Sequence, residues 1–138
     1  MKRTATAVWE GSIKEGKGKL TTQSSTLKDT QYSFKSRFEE GNGTNPEELI
    51  AAAHSGCFAM ALSLILGEAG FTPDSLEATS TVAVDADKLQ ITSSHLVLKA
   101  KIPGISQEKF QECTEAAKTN CPVSKALNLE ITLDASLV

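Results

Sequence analysis

Asn45-Pro-Glu-Glu-Leu-Ile-Ala-Ala-Ala-His-Ser-Gly-Cys-Phe-Ala-Met-Ala-Leu-Ser-Leu-Ile-Leu66 is the stretch whose reading decides the fold. Asn45 suits a helix N-cap, Pro46 the first helical position, and Glu47 and Glu48 the positive end of the dipole in the first turn. The helix should end near Gly67 or Gly70, where a C-terminal glycine is expected. Leu49 to Leu66 carries no charge and reaches the bare length of a membrane span. We read it as a core helix instead: His54, Ser55, Gly56 and Ser63 dilute it, and its flanks carry no basic asymmetry to orient it. A helix apolar on nearly every side is buried on nearly every side. A chain of 138 residues has little material to wrap it, so a second copy is expected to cover it, and a two-fold homodimer is the simplest arrangement.

Outward from that helix, alternation and turn residues mark a mixed fold. Residues 4–10 and 18–23 read as strands joined by the glycine-rich turn at Gly11 to Gly16, and residues 31–37 as a third strand. Beyond Pro73, residues 76–85 and 88–101 read as two long strands turning near Asp85. Pro103-Gly104 stops the second, Ser106 caps a helix running to about Lys118 with Phe110, Cys113 and Ala117 on its apolar face, and a short helix follows Pro122. Residues 128–137 alternate as a closing strand. The expected class is α+β: one domain over residues 1–138, a mostly antiparallel sheet and a long buried central helix.

Composition narrows the function. Net charge is −3, and the 14 Lys and Arg are scattered. The densest basic segment, Lys14 to Lys19, alternates with Gly and Glu as a hairpin surface would. Nucleic-acid binding is excluded on that ground, because phosphate recognition needs a positive footprint. Met1-Lys-Arg3 is basic, but Trp9-Glu-Gly11 interrupts any apolar leader too early for secretion. Three cysteines without a leader argue for a reducing compartment, and a cytoplasmic location is expected.

The chemistry rests on unlike thiols. Cys57 lies in the middle of the central helix with His54 one turn earlier on the same face. Cys121 opens Cys121-Pro-Val-Ser124, where the free N–H groups of a helix start bias a thiol toward thiolate. That pairing suggests redox chemistry rather than a structural staple, and on residue type alone Cys121 is the better nucleophile. A helix N-terminus supplies roughly 0.3–1 kcal/mol, under one pKa unit. A guanidinium about 4 Å away supplies on the order of 4 kcal/mol at an effective dielectric near 20. If Cys57 is the nucleophile, it therefore needs a cation from elsewhere, and Arg37 is the best placed. Glu47 sits about 15 Å before Cys57 along the helix axis, so within its own helix it orients Arg37 or complements the dipole rather than touching the thiol. Cys113 reads as core filler, His54 as a satisfied buried histidine, and His95 as a solvent-facing strand residue. No C-x-x-C pair, phosphate loop or Ser-His-Asp arrangement is legible, and the thiols and His54 lack zinc-site spacing, so no metal or cofactor is expected.

The run Thr44-Asn-Pro-Glu-Glu-Leu-Ile-Ala-Ala-Ala-His-Ser-Gly-Cys-Phe-Ala-Met-Ala-Leu-Ser-Leu64, with Cys121-Pro-Val-Ser124, closely resembles the OsmC/Ohr family of organic hydroperoxide reductases. The likeness continues through Trp9-Glu-Gly11, Arg37-Phe38, Gly67-Glu-Ala-Gly-Phe-Thr-Pro73 and Glu130-Ile-Thr-Leu-Asp134, and is nearer the OsmC branch than the Ohr branch. It implies an intertwined homodimer with two active sites at the interface. It implies that Cys57 is the peroxidatic cysteine, Cys121 the resolving one, and Arg37 with Glu47 the activating pair; Cys113 has no role in the pattern. It further implies an organic hydroperoxide substrate and a dithiol reductant, with lipoylated protein as the partner class. Phe58, Met60 and Phe71 would then favour organic peroxides over hydrogen peroxide. The readings from other classes are a redox-sensing dimer and a ligand-binding dimer with non-catalytic thiols. Sustained turnover with a dithiol separates enzyme from sensor, and a Cys57 inert to peroxide and alkylation favours the binding dimer.

Overall fold

The computed structural model describes residues 1–138. Contacts divide the chain into two compact units, Met1–Leu49 and Ile50–Val138.

In the first unit, β1 (Ala5–Glu10), β2 (Lys17–Thr22) and β3 (Thr30–Tyr32) form an antiparallel sheet in that order. Gly18 lies opposite Tyr32, whose ring occupies the space a Cβ would take. The strand expected over residues 31–37 stops at Tyr32 and gives way to helix α1 (Phe34–Phe38). The cause is a reciprocal cap. Ser33 Oγ accepts from the Ser36 N–H at 3.2 Å, and Ser36 Oγ accepts from the Ser33 N–H at 2.8 Å. Phe34 and Phe38, four apart, then pack with ring centroids 5.2 Å apart and tilted by 49° on one side of the turn. Arg37 is thus a helix residue.

Helix α2 (Pro46–Glu68) starts as its sequence dictates: Asn45 Oδ1 accepts from the Glu48 N–H at 2.8 Å. It ends in a left-handed Gly70 at φ +87°, with Phe71 N–H on the Leu66 carbonyl and Gly70 N–H on that of Gly67.

The second unit adds β4 (Ser75–Asp85), β5 (Gln90–Lys101), α3 (Gln107–Asn120), α4 (Pro122–Ala126) and β6 (Glu130–Leu137). Its sheet runs β4-β5-β6. β4 and β5 are antiparallel, whereas β6 lies parallel to β5 because the helical crossover through α3 and α4 returns the chain to the same end. The fold is α+β and mostly antiparallel, built as two three-stranded sheets. Phe58, Leu62 and Leu66 of α2 meet Leu96, Leu98 and Ala100 of β5 and Phe110, Cys113 and Ala117 of α3, all buried. The long helix is buried along one stripe only. Its opposite flank leaves Met60 77% and Leu64 64% exposed, because one sheet face and α3 cover one side. The helix is long and apolar enough to cross a membrane, a criterion that core helices also meet.

Candidate functional site

Arg37 and Glu47 meet within the first unit. Arg37 Nη2 donates to Glu47 Oε1 at 2.8 Å, and its Nε to Oε1 and Oε2 at 3.2 and 3.3 Å, a forked charge-assisted contact. Glu47 is 7% exposed and Arg37 keeps its other edge open. The guanidinium carbon lies 5.0 Å from the Phe38 ring centroid. Its backbone is fixed twice over: Ser36 Oγ donates to the Thr44 carbonyl at 2.8 Å, and Asn45 Nδ2 donates to the Ser36 carbonyl at 2.9 Å, so the turn bearing Arg37 is tied to the start of α2. Beside the pair lies a cavity of about 110 Å³ lined by Trp9, Ile13, Tyr32, Phe34 and Phe38. Sequence reasoning did not find this pocket, although four of the seven aromatic residues fall between Trp9 and Phe38.

Cys57 and Cys121 meet within the second unit. The two lie close enough that the Cys121 thiol raises the Cys57 pKa and the backbone N–H of Val123 lowers it. Cys121 is fully buried, ends α3 and precedes Pro122 of α4. It makes no side-chain cap of α4, and the Val123 N–H at that helix start lowers the pKa of Cys57 instead. The favourable setting expected for Cys121 thus serves its neighbour. Burial and the Cys121 thiol push the Cys57 pKa up, and the Val123 N–H opposes them. Residues 50–138 contain no arginine, and none of their lysines is among the groups acting on Cys57. Cys113 is in the core, its pKa also raised by burial.

His54 is fully buried and satisfied at both nitrogens, Nδ1 by Ser94 Oγ at 2.7 Å and Nε2 by Ser124 Oγ at 2.8 Å. Burial lowers its pKa, so the ring is neutral. Both serines come from other elements, and nothing local in the sequence marks them as partners of His54. His95 is half-buried, bonded to Thr132 Oγ1 at 2.6 Å and near Asp134 Oδ2 at 3.2 Å. Phe58 is sealed in the core, so of the three apolar residues expected near a substrate it is not available to one. No three His, Cys, Asp or Glu side chains converge as metal ligands.

Residues 39–136 match the family described as OsmC-like protein. The Peroxiredoxin OsmC of Escherichia coli (strain K12) is 50% identical over 133 residues, covering 95% of this chain and 93% of that protein. The Organic hydroperoxide resistance protein-like 2 of Staphylococcus epidermidis (strain ATCC 35984) is 35% identical over 102 residues, 70% of each chain. Among solved structures, the organic hydroperoxide resistance protein OhrB of Bacillus subtilis superposes with a TM-score of 0.71 at 27% identity, over 96% of this chain and 98% of that one.

Proposed function

The chain belongs to the OsmC-like family and is a cysteine-based peroxidase, and on that premise we propose that it reduces organic hydroperoxides to alcohols through Cys57 and Cys121. The observation that carries this reading is that two thiols far apart in sequence come close enough for Cys121 to raise the Cys57 pKa. The Cys57 thiolate attacks the terminal oxygen of ROOH and the O–O bond breaks. The alkoxide leaves and takes up a proton as ROH, and Cys57 is left as a sulfenic acid. The Cys121 thiol then attacks the Cys57 sulfur. The S–S bond forms as the S–O bond breaks, and hydroxide departs with the thiol proton as water. A dithiol, in our reading a lipoylated protein, reopens the disulfide by exchange and is itself oxidised to a disulfide.

Arg37 is the cation that Cys57 requires, held by Glu47 and stabilising both thiolate and developing alkoxide. This role is supported by the electrostatics of the second unit, where burial disfavours the thiolate and no arginine is present. The aromatic cavity beside Arg37 suits the organic group of the substrate better than a bare peroxide. The exposed apolar flank of α2 supports a homodimer, and the three thiols a reducing, cytoplasmic setting.

The test adds one equivalent of cumene hydroperoxide to fully reduced protein and maps the cysteines by non-reducing peptide mass spectrometry. A rapid Cys57–Cys121 crosslink, absent in Cys57→Ser, is expected; three intact thiols would defeat the assignment.

A further inference from the structure

A line of hydroxyls and one imidazole crosses the second unit and plays no part in the chemistry above. Ser80 of β4 is bonded to Ser94 of β5 at 2.9 Å, Ser94 to His54 Nδ1 at 2.7 Å, and His54 Nε2 to Ser124 of α4 at 2.8 Å. His54 and Ser94 are fully buried and Ser124 is 8% exposed. A neutral imidazole has one N–H and one lone pair, and a serine on each side satisfies both. No buried side-chain polar atom is left unpaired. Such a completed network fixes one arrangement of the elements it joins.

What it fixes is the segment that carries Cys121. Helix α4 has five residues, and its N-cap, Cys121, makes no side-chain cap bond. A helix this short does not sustain itself, since nucleation costs more than so few bonds return. Its position therefore depends on ties to its surroundings. Two of these reach α2: the Val123 N–H, which lowers the Cys57 pKa, and the Ser124 hydroxyl, which is bonded to His54 one helical turn before Cys57. The first is part of the reacting centre and is disturbed whenever Cys57 changes oxidation state. The second touches neither sulfur.

We propose that His54 and Ser124 are positioning residues for disulfide closure, the anchor that keeps Cys121 on Cys57 while the peroxidatic sulfur changes from thiol to sulfenic acid. The inference rests on the two-cysteine reading for its role in turnover, but the anchoring itself can be measured without peroxide.

The experiment uses the full chain with Ser124→Ala and, as the conservative variant, Ser124→Thr, and reads three quantities. The first is the rate of Cys57 sulfenic acid formation with cumene hydroperoxide, trapped by dimedone. The second is the rate of Cys57–Cys121 closure. The third is the disulfide equilibrium against oxidised glutathione, in which two protein thiols and one glutathione disulfide give the protein disulfide and two glutathione thiols. One lost hydrogen bond of ordinary strength should slow closure by about five- to tenfold and weaken the equilibrium against glutathione by a similar factor. Sulfenic acid formation should fall by less, and Ser124→Thr should restore closure. Equal slowing of both steps, or closure at the wild-type rate with only a lower melting temperature, would overturn the inference and leave the line a packing feature. Wild-type protein that ignores peroxide while the glutathione equilibrium still falls in Ser124→Ala would defeat the peroxidase mechanism and keep the anchor.

Discussion

Arg37 is the residue on which the proposed chemistry turns. It is held from below by two carboxylate oxygens of Glu47 and flanked by the Phe38 ring, with its remaining N–H groups free to receive a negative charge. Burial and the Cys121 thiol both work against a Cys57 thiolate, and a single backbone N–H does not offset them. Removing the guanidinium in Arg37→Ala should therefore raise the Cys57 pKa, read from thiolate absorbance near 240 nm, and slow peroxide consumption by about a hundredfold or more. Arg37→Lys should recover only part, because an ammonium cannot hold the forked geometry on Glu47 while facing a second anion. An unchanged rate in Arg37→Ala would remove Arg37 from the mechanism. The proposed seating of the organic group in this pocket predicts a selectivity change: Phe38→Ala should raise the KM for cumene hydroperoxide and leave that for hydrogen peroxide, which has no organic group, nearly unaltered.

Among the elements, α2 has the clearest division of labour. Its buried stripe of Phe58, Leu62 and Leu66 seats it on β5 and α3, and truncating Leu62→Ala should cost about 2–5 kcal/mol in urea unfolding. His54 continues that stripe as a neutral polar contact, which gives the unit a defined pH response. Its pKa is lowered by burial, so the folded state resists the proton that the unfolded chain accepts. The stability His54 contributes is present above the ordinary imidazole range, near 6.5, and is lost as pH falls through the lower folded value. Melting temperature should therefore decline as pH falls below about 6.5, and less so in His54→Asn. Equal slopes would place the titration elsewhere. The bounds of α2 were legible because Asn45, Pro46 and Gly70 each act locally. α1 was not, because Tyr32 and Phe34 alternate with polar neighbours like a strand until the Ser33–Ser36 cap is considered. The parallel placement of β6 and the partners of His54 depend on how distant segments return to one another, which no local pattern encodes. The Arg37–Glu47 pair lay within sequence reach, ten residues apart on either side of a glycine-rich loop; the influence of the Val123 N–H on the Cys57 pKa did not.

For the whole molecule the open question is what covers the second side of α2. Met60 and Leu64 stand four residues apart on one flank, largely exposed, with Gly56 and Gly67 beside them offering no side chain to obstruct close approach. An apolar helical flank of this kind is best covered by another of the same shape, and a two-fold axis supplies one from the same chain. Placing charges there, in Met60→Glu with Leu64→Glu, should prevent association without touching the stripe that seats the helix. Sedimentation should then report a particle near the 14.7 kDa of one chain, with helix content retained by circular dichroism. If each site is completed across two chains, peroxide turnover should collapse with the dimer. The Cys57–Cys121 disulfide should still form in glutathione buffer, since both thiols and the His54–Ser124 anchor lie within residues 50–138 of one chain. A monomer that keeps full turnover would show that one chain suffices for the reaction, and a variant that remains dimeric would place the interface on another surface.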